Sequence, residues 1–366
     1  MKKLFFISLI LLAFISCQDQ NKSEGANREN GKSGSGIALP DASGDPGEIV
    51  IIMNKKEYDE EIGEAIKEVF QEYADGLIRR EELFTIRVVE PFEFNRIFKI
   101  ARNLVYVTSF EGNTAADKWL QDIYSESSRK MIFEEPSRFM QTSNNQYAKG
   151  QNIMQLFGKD DATLAKNIRE NKILIQNYFN IAERNRLARE IKMSSESRAL
   201  LNEVNRELDF NIKIPAGYEL AKLEEDFMWV RTLPPVGASK NLMVYFKTYE
   251  DQSEFEHANV INLRNEVGKK YVFGDPENAE SFMTTEDVYV KPVQRNIDYN
   301  GKYTVETRGV WKTNNLSVGG TFISYTFVDE ESNRLFYIEG FVIHPSEDHR
   351  ELIREMESLI TTFKAT

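Results

Sequence analysis

The spacing of hydrophobic residues changes along the chain and separates its folded part into three segments. The first begins with a short β-branched run from Glu48 to Met53, which predicts a buried strand. Apolar residues then recur at helical spacing between Tyr58 and Tyr73, with Asn54 as the expected N-cap. Further elements are predicted as strands over 83–89 and 104–110, a helix over 114–131 and an extended segment over 139–156. This alternation predicts a mixed α/β domain over residues 48–158.

The second segment, residues 159–208, has the apolar stripe of a long helical connector, with a break near Met193. Its charged residues alternate in sign, with Arg184, Arg186, Arg189 and Lys192 interleaved with Glu183 and Glu190. Interleaved charges are typical of a solvated helix face rather than of a helix that binds nucleic acid.

The third segment, residues 209–366, alternates apolar and polar residues as antiparallel strands covered on one face do. Strands are predicted over 210–220, 227–232, 242–249, 303–312, 319–328 and 334–344, and helices over 254–270 and 346–363. Ser346 is the expected N-cap of the closing helix. The predicted fold class is therefore α+β: an N-terminal mixed α/β domain and a C-terminal antiparallel sheet packed by helices, joined by the helical connector.

Many aromatic residues fall in the predicted strands of the third segment, including Trp229, Trp311 and Phe341. Phe336 and Tyr337 are adjacent in one predicted strand, so their side chains point to opposite faces of the sheet, and both faces could be covered. Core packing is the simpler interpretation of these residues. A sugar- or peptide-binding platform on one face is the alternative.

The beginning of the chain indicates export. Lys2 and Lys3 precede an apolar run of about 12 residues that ends at Ile15, which is the length of a signal peptide rather than of a membrane span. The sequence Phe14-Ile15-Ser16-Cys17 resembles the lipobox of bacterial lipoproteins. In that family the cysteine receives a diacylglycerol and the signal is cut before it. The resemblance implies a signal peptide over 1–16, a lipidated Cys17, and a tether over 17–47 that is too polar to fold.

Composition narrows the possible functions. The formal net charge is −12, and an acidic surface disfavours binding to nucleic acid and to anionic membrane surfaces. Cys17 is the only cysteine, so its lipidation leaves no thiol for a disulfide, a zinc site or a nucleophile.

Candidate chemistry is sparse. His344 and His349 enclose Glu347 and Asp348, which could ligate a divalent ion, but a strand-to-helix turn explains the same residues. Ser317 has only part of a nucleophile-elbow pattern, and Ser127 with Lys130 has no partner motif. We therefore predict no catalytic residue and no cofactor, with His344 and His349 as the metal-ligand candidates.

Two resemblances extend over the folded part of the chain. The start at Pro46-Gly47-Glu48-Ile49-Val50, the segment Arg308-Gly309-Val310-Trp311 and the segment from Gly319 to Thr326 resemble a family of Bacteroidota lipoproteins of unknown function. Ile214-Pro215-Ala216-Gly217-Tyr218 and the closing Leu359–Phe363 are similar to the Mog1/PsbP-like fold. That fold mostly hosts binding and assembly roles, but fold analogy alone does not carry function, and the enzyme question stays open with binding favoured.

These observations predict an outer-membrane protein anchored through Cys17, on the periplasmic face, that binds an unknown envelope protein or saccharide. The alternatives are a metal- or serine-dependent hydrolase of envelope polymers, which would gather His344, His349 or Ser317 with carboxylates of the first domain, and a structural spacer. A concave aromatic surface would favour binding, and a convergent polar pocket would favour the enzyme.

Overall fold

A computed structural model describes residues 39–275 and 278–366, so Cys17 and the predicted signal peptide lie outside the described residues. The first sheet contains β1 (Glu48–Ile52), β2 (Thr85–Val89), β3 (Asn103–Ser109), β4 (Met140–Asn144) and β5 (Asn152–Gly158). Its strand order is β2-β1-β3-β5-β4, and only β4 is antiparallel to its neighbour. β2 lies on the outer side of β1, whereas β3 and β5 follow on the other side. The direction in which strands are added therefore reverses between β1 and β3, as in doubly wound sheets.

Helices cover both faces of this sheet. They are α1 (Lys55–Tyr58), α2 (Glu61–Phe70), α3 (Arg96–Lys99), α4 (Ala115–Gln121), α5 (Glu126–Glu134), α6 (Asp161–Glu170) and α7 (Lys172–Met193). One core joins α2, α6 and α7 to Ile49 and Ile51 of β1, and a second core joins α4 to Val50 and Ile52 of the same strand. Alternate side chains of β1 therefore enter the cores on the two faces of the sheet, as those of a fully buried strand do.

The helix predicted over 114–131 is two helices. Thr114 caps α4 through a reciprocal bond with Asp117, and Ser125 caps α5 separately. A second N-cap within a predicted helix marks a new helix start, because the cap residue has extended backbone geometry.

The segment Pro40–Ser43, called the strap below, is hydrogen-bonded to the amino end of the first sheet before β1 begins. Ala42 N–H donates to the Lys149 carbonyl (2.8 Å), and Lys149 N–H donates to the Pro40 carbonyl (2.7 Å). Ser43 bonds the segment that leads into β3, since its N–H donates to the Ile100 carbonyl (2.9 Å). The chain is thus hydrogen-bonded to the domain from Pro40, inside the segment that the sequence predicts to be a tether.

The solvated helix face predicted for α7 is wrong for two of its charged residues. Glu183 and Arg186 are buried and paired at 2.6 Å. The Arg186 guanidinium also donates to the Asn103 and Asn152 side-chain oxygens, at 2.8 and 2.7 Å. These asparagines begin β3 and β5, so the arginine binds the amino ends of two parallel strands.

The second sheet is antiparallel and curled. Its strands are β7 (Glu219–Glu224), β8 (Phe227–Arg231), β9 (Ser239–Thr248), β10 (Phe273–Asp275), β11 (Asn278–Glu286), β12 (Val293–Tyr299), β13 (Lys302–Thr313), β14 (Gly319–Asp329) and β15 (Arg334–Ile343), and β6 (Phe210–Asn211) pairs separately with β16 (Lys364–Ala365). The strand order is β10-β11-β13-β14-β15-β9-β8-β7, and β12 pairs with β13. The helices are α8 (Arg198–Glu207), α9 (His257–Tyr271) and α10 (Arg350–Ile360). The predicted α+β class is confirmed.

Two cores lie on opposite faces of the second sheet. Val267 and Tyr271 of α9 pack with Tyr337 on one face, and residues of α8 and α10 pack with Phe336 on the other. The adjacent aromatics Phe336 and Tyr337 therefore face different cores, and both are fully buried. Core packing is the correct interpretation of this strand.

Helix α10 joins the two halves of the described chain, which form one unit from Leu39 to Thr366. Glu357 accepts hydrogen bonds from Arg184 of α7 (2.9 Å), Arg308 of β13 (2.8 Å) and the Tyr325 hydroxyl (3.2 Å). Burial alone would raise the pKa of Glu357, but the guanidinium groups of Arg308 and Arg184 lower this pKa to about 2.

The expected N-cap at Ser346 is wrong, because α10 begins at Arg350. The Glu81 carboxylate from the first half accepts the backbone N–H groups of His349 (2.8 Å) and Arg350 (2.7 Å). A distant residue thus satisfies the free donors of the first turn, which a local cap usually does.

Candidate functional site

The histidine candidates lie at the turn before α10. The His349 side chain is buried between Thr321 Oγ1, 2.9 Å from its Nδ1, and the His344 carbonyl, 2.8 Å from its Nε2. A carbonyl only accepts, so Nε2 donates to it, and Nδ1 shares a hydrogen bond with the Thr321 hydroxyl. Both nitrogens are therefore occupied by structural bonds. Across residues 39–275 and 278–366, no group of three or more His, Cys, Asp or Glu side chains could hold a metal ion.

The serine candidates lie in local turns. Ser317 is at the β13–β14 hairpin, where its hydroxyl donates to Asn315 Oδ1 (2.9 Å) and lies 3.1 Å from Thr313 Oγ1. Ser127 and Ser128 both lie near the Ser125 hydroxyl at the start of α5. Neither serine position is bonded to a histidine or lysine within the described part of the chain, so neither is arranged as an activated nucleophile.

A carboxylate pair, which the sequence analysis missed, lies at the carboxyl end of the first sheet. Glu57 is on α1, directly after β1, and Asp117 is on α4, after β3. Asn54 Nδ2 donates to Asp117 Oδ1 (2.9 Å), and Thr114 N–H donates to Asp117 Oδ2 (2.8 Å). These residues therefore occupy the crevice between β1 and β3, where open α/β sheets bind ligands.

The two carboxyl groups have opposite pKa shifts. Burial, followed by the charges of Asp117 and Asp161, raises the pKa of Glu57 to about 8. Burial would also raise the pKa of Asp117, but hydrogen bonds from Asn54 and Thr114 lower it. Glu57 therefore keeps its proton to a higher pH than an ordinary glutamate, whereas Asp117 ionises readily, as in pairs of carboxyls that share one proton. The feature of the sequence that could have located this carboxylate pair is the polar segment that directly follows each of the buried strands β1 and β3.

A second polar cluster is enclosed between α9 and the second sheet. Arg264 pairs with Glu339 at 2.8 Å, its guanidinium lies 3.8 Å from the centre of the Phe322 ring, and both charged side chains are almost completely buried. Because no substrate could reach these atoms without opening the core, the cluster is structural.

An aromatic pocket opens at one end of the second sheet. It has a volume of about 80 Å³, and its main lining residues are Trp229, Arg231, Asn241, Phe273, Trp311 and Phe341. The curl of the sheet brings β8 beside β10, so the ring centres of Trp229 and Phe273 are 5.0 Å apart. Of these residues, the sequence singled out Trp229, Trp311 and Phe341 as strand aromatics. It missed Phe273, because β10 is only three residues long.

The polar atoms inside this aromatic pocket are already paired. Trp229 Nε1 donates to Asn241 Oδ1 (3.1 Å), and Trp311 Nε1 donates to the Val342 carbonyl (3.3 Å). Arg231 lies over the Trp229 ring and is bonded to Glu219 at 3.1 Å. The pocket therefore offers an occupant mainly apolar contact.

The rim of the aromatic pocket is apolar and exposed. Leu233 and Phe273 line the opening and are 56% and 45% exposed. Val236, in the same β8–β9 hairpin as Leu233, and Leu316, in the β13–β14 hairpin at the same end of the sheet, are also strongly exposed. Exposed apolar residues gathered around a cavity mark an interaction site more often than single ones do.

Two family models match the chain. Residues 42–192 match a domain of unknown function (DUF8532), and residues 197–362 match a domain of unknown function (DUF4837). A search of the curated proteins finds no match. No helix in the described ranges is long and apolar enough to cross a membrane.

Solved structures with some similarity include the Saccharomyces cerevisiae Ran-binding protein Mog1p, with 9% identity over 43% of this chain and 90% of that one, at a TM-score of 0.29. A mutant of Mog1 has 10% identity with the same coverage and a TM-score of 0.30. A protein of Bacteroides thetaiotaomicron has 12% identity over 43% of this chain and 45% of that one, at a TM-score of 0.24. Similarities of this size carry no argument about function. The chain thus consists of two regions that each match a family of unknown function, which confirms the predicted resemblance to such a family.

Proposed function

We propose that the protein is a lipid-anchored component of the bacterial cell envelope that binds another envelope protein through the aromatic pocket. Cys17 is the anchor, and the outer membrane is its location, with the body on the periplasmic face. The lipobox-like sequence Phe14-Ile15-Ser16-Cys17 supports the anchor. The observation that carries the binding role is the aromatic pocket with its exposed apolar rim.

The pocket favours an apolar protein side chain over a saccharide. Its volume of about 80 Å³ is small beside the roughly 300 Å³ at which small-molecule sites begin. A sugar also needs free hydrogen-bonding groups, whereas the Trp229 and Trp311 N–H groups have partners within the sheet. A single aliphatic or aromatic side chain from a partner would fill the cavity, and the rim would contact its neighbours, as at an interface hot spot.

The hydrolase alternative receives less support from the geometry. The shared-proton pair of Glu57 and Asp117 lies in the first half of the chain, whereas the aromatic pocket contains Arg231 as its one ionisable lining residue. Ser317 and His349 are held in structural bonds. Acid–base groups and the pocket are thus in different domains, whereas a catalytic site must converge on the reacting atoms.

Site-directed photo-cross-linking in intact cells tests this proposal. A photoreactive phenylalanine analogue at Leu233 is expected to capture the same discrete protein as one at Phe273. Tyr303 is the matched control position, because it is 54% exposed but lies at the opposite end of β13. Captured adducts that disappear when Leu316 is changed to Asp would locate the partner at the rim.

The same experiment is repeated with a Cys17→Ser variant. Loss of acyl labelling, of membrane association and of the adduct is expected, because both partners must be held at one membrane. If Leu233 and Phe273 yield no adduct beyond that of Tyr303, the protein-binding role is wrong. If Cys17→Ser keeps its acyl label, the anchor is wrong.

A further inference from the structure

We infer that two copies of this chain pair through the free edge of β4, which joins their five-stranded sheets into one continuous sheet. The two strands run antiparallel and are centred on Thr142, so that a two-fold axis passes between the two Thr142 residues. Neither the aromatic pocket nor the anchor at Cys17 takes part in this pairing.

The outer edge of β4 has unpaired backbone groups. Phe157 N–H donates to the Phe139 carbonyl (2.8 Å), directly before the strand begins. Hydrogen bonding alternates along an antiparallel pair, so the odd-numbered residues of β4 also bond to β5. Met140, Thr142 and Asn144 therefore direct their N–H and C=O groups outward, where no backbone partner lies within the described part of the chain.

β4 is accessible on both of its faces. Gln141, Thr142, Ser143 and Asn144 are all exposed, although neighbouring residues of a strand point to opposite faces. A groove lined by Met140 and Gln141 lies between β4 and α5, and it leaves the strand uncovered by that helix. A second strand can therefore approach this edge without displacing an element of the first domain.

The outward residues are self-complementary about Thr142. In the antiparallel pair, Met140 lies opposite Asn144 of the second copy, and Thr142 lies opposite its own counterpart. All three positions point outward in both copies, so the pair forms about six new backbone hydrogen bonds. A shift by one residue would place outward groups opposite groups that already bond to β5. The strand itself therefore fixes the register.

Charge favours a second copy of this chain as the occupant. Each copy has a formal net charge of −12, so two copies can meet closely only where the surface is uncharged. No charged residue occurs from Phe139 to Ala148, a stretch that includes all of β4. The other edge strands of the two large sheets carry charged residues, which oppose edge-to-edge pairing: Arg87 in β2, Lys222 in β7, Asp275 in β10 and Arg295 in β12.

An exposed apolar stripe on α7 lies beside this edge. Tyr178 reaches β4, because its hydroxyl lies 3.4 Å from Asn144 Oδ1 and 3.2 Å from the Ile153 carbonyl. Leu174 and Ile181 are one turn before and one turn after Tyr178 on the same side of the helix, and both are about half exposed. A two-fold axis perpendicular to the sheet keeps both α7 helices on one face, so each stripe faces its counterpart across the paired strands.

Disulfide cross-linking of the full-length chain tests the register. Cys17 is replaced by serine, so that an added cysteine is the only thiol. Thr142→Cys should link two copies under mild oxidation, because directly opposed residues have Cα atoms about 5.5 Å apart. Ser143→Cys, at the next exposed position, is the matched control, since its counterpart lies diagonally at about 7–8 Å, beyond the reach of a disulfide. We expect about tenfold more covalent dimer from Thr142→Cys than from Ser143→Cys.

Light scattering of the full-length chain in detergent, corrected for bound detergent, measures whether the pair forms without a covalent bond. The unaltered chain should have twice the mass of one copy. Thr142→Lys should have the mass of one copy, because two ammonium groups would lie opposite each other at the axis. Asn296→Lys, at an exposed position of the edge strand β12, is the control and should remain paired.

Two results would overturn the inference directly: a single-copy mass for the unaltered chain, or equal yields of covalent dimer from Thr142→Cys and Ser143→Cys. A pair that persists in Thr142→Lys would show that the copies associate through another surface, and this result would overturn it as well. Thr142 is exposed, so its variants test the contact between copies rather than the folding of the first domain.

Discussion

Glu57 is the residue whose protonation the fold changes most clearly. Its pKa is raised from 4.5 to about 8 by burial and by the charges of Asp117 and Asp161, with a smaller contribution from Glu60. The folded protein therefore holds a proton that the unfolded chain releases between these two pH values. The contribution of Glu57 to the unfolding free energy is therefore fully present below pH 4.5 and is lost as the pH rises toward 8.

We predict that Glu57→Gln reduces this pH dependence, because glutamine keeps a donor toward Asp117 and cannot ionise. Urea unfolding at pH 5, 6.5 and 8 measures the effect. The unaltered protein should lose up to about 1.4 kcal/mol of unfolding free energy per pH unit more than the variant within the window. Glu64→Gln, at an exposed position of α2, is the control and should retain the full slope. Equal slopes for all three proteins would contradict the shared-proton interpretation.

At the scale of elements, α10 depends on residues from the other half of the chain. Glu81 binds its first turn, and Glu357 binds Arg184 and Arg308. Removing Glu357 would leave Arg308 with one carboxylate partner, Glu306, and Arg184 without its partner at a partly exposed position, so the loss carries part of the cost of breaking a buried pair.

We predict that Glu357→Gln lowers the unfolding free energy by about 2 kcal/mol. The cost is below that of a fully buried pair, because Arg308 keeps Glu306 at 2.8 Å and Arg184 is 36% exposed. Glu355→Gln is the matched control on the same helix. Glu355 pairs with Lys240 at 2.7 Å, but both side chains are about 30% exposed, so a loss of less than about 1 kcal/mol is expected. Chemical denaturation measures both values, and similar losses for the two variants would refute the special role of Glu357.

Elements with local signals could be predicted from the sequence, and those with distant partners could not. β1, β3 and β15 follow from apolar runs and alternation, which depend only on neighbouring residues. The start of α10 was misplaced because its cap is Glu81, which is remote in sequence. The interleaving of positive and negative residues along α7 could not show that Arg186 is buried while Arg189 is exposed. Likewise, Glu57 and Asp117 meet only because β1 and β3 are adjacent in the sheet.

At the scale of the molecule, the two family regions are coupled through α10. Its inner face completes the core of the second sheet, and its other contacts reach α7 and the Glu81–Leu83 segment of the first half, where Arg354 donates to the Leu83 carbonyl (2.6 Å). Unfolding of either region would leave buried charges of the other exposed to solvent.

We therefore predict that both halves unfold in one calorimetric transition. Scanning calorimetry should give equal calorimetric and van't Hoff enthalpies for the unaltered protein. The Glu357→Gln variant should broaden or divide that transition, whereas Glu355→Gln should not. Two separate transitions in the unaltered protein would show that the contacts along α10 do not couple the domains.

The strap at Pro40–Ser43 has a mechanical consequence for an anchored protein. Tension applied through the N-terminal side of the chain reaches the hydrogen bonds of Ala42 and Ser43 before it reaches β1. The strap can be peeled from Lys149 and Ile100 while the sheet stays intact, and only Gly44–Gly47 then separates the pulled end from the first strand. The strap would lengthen under load before the strands of the first sheet are strained.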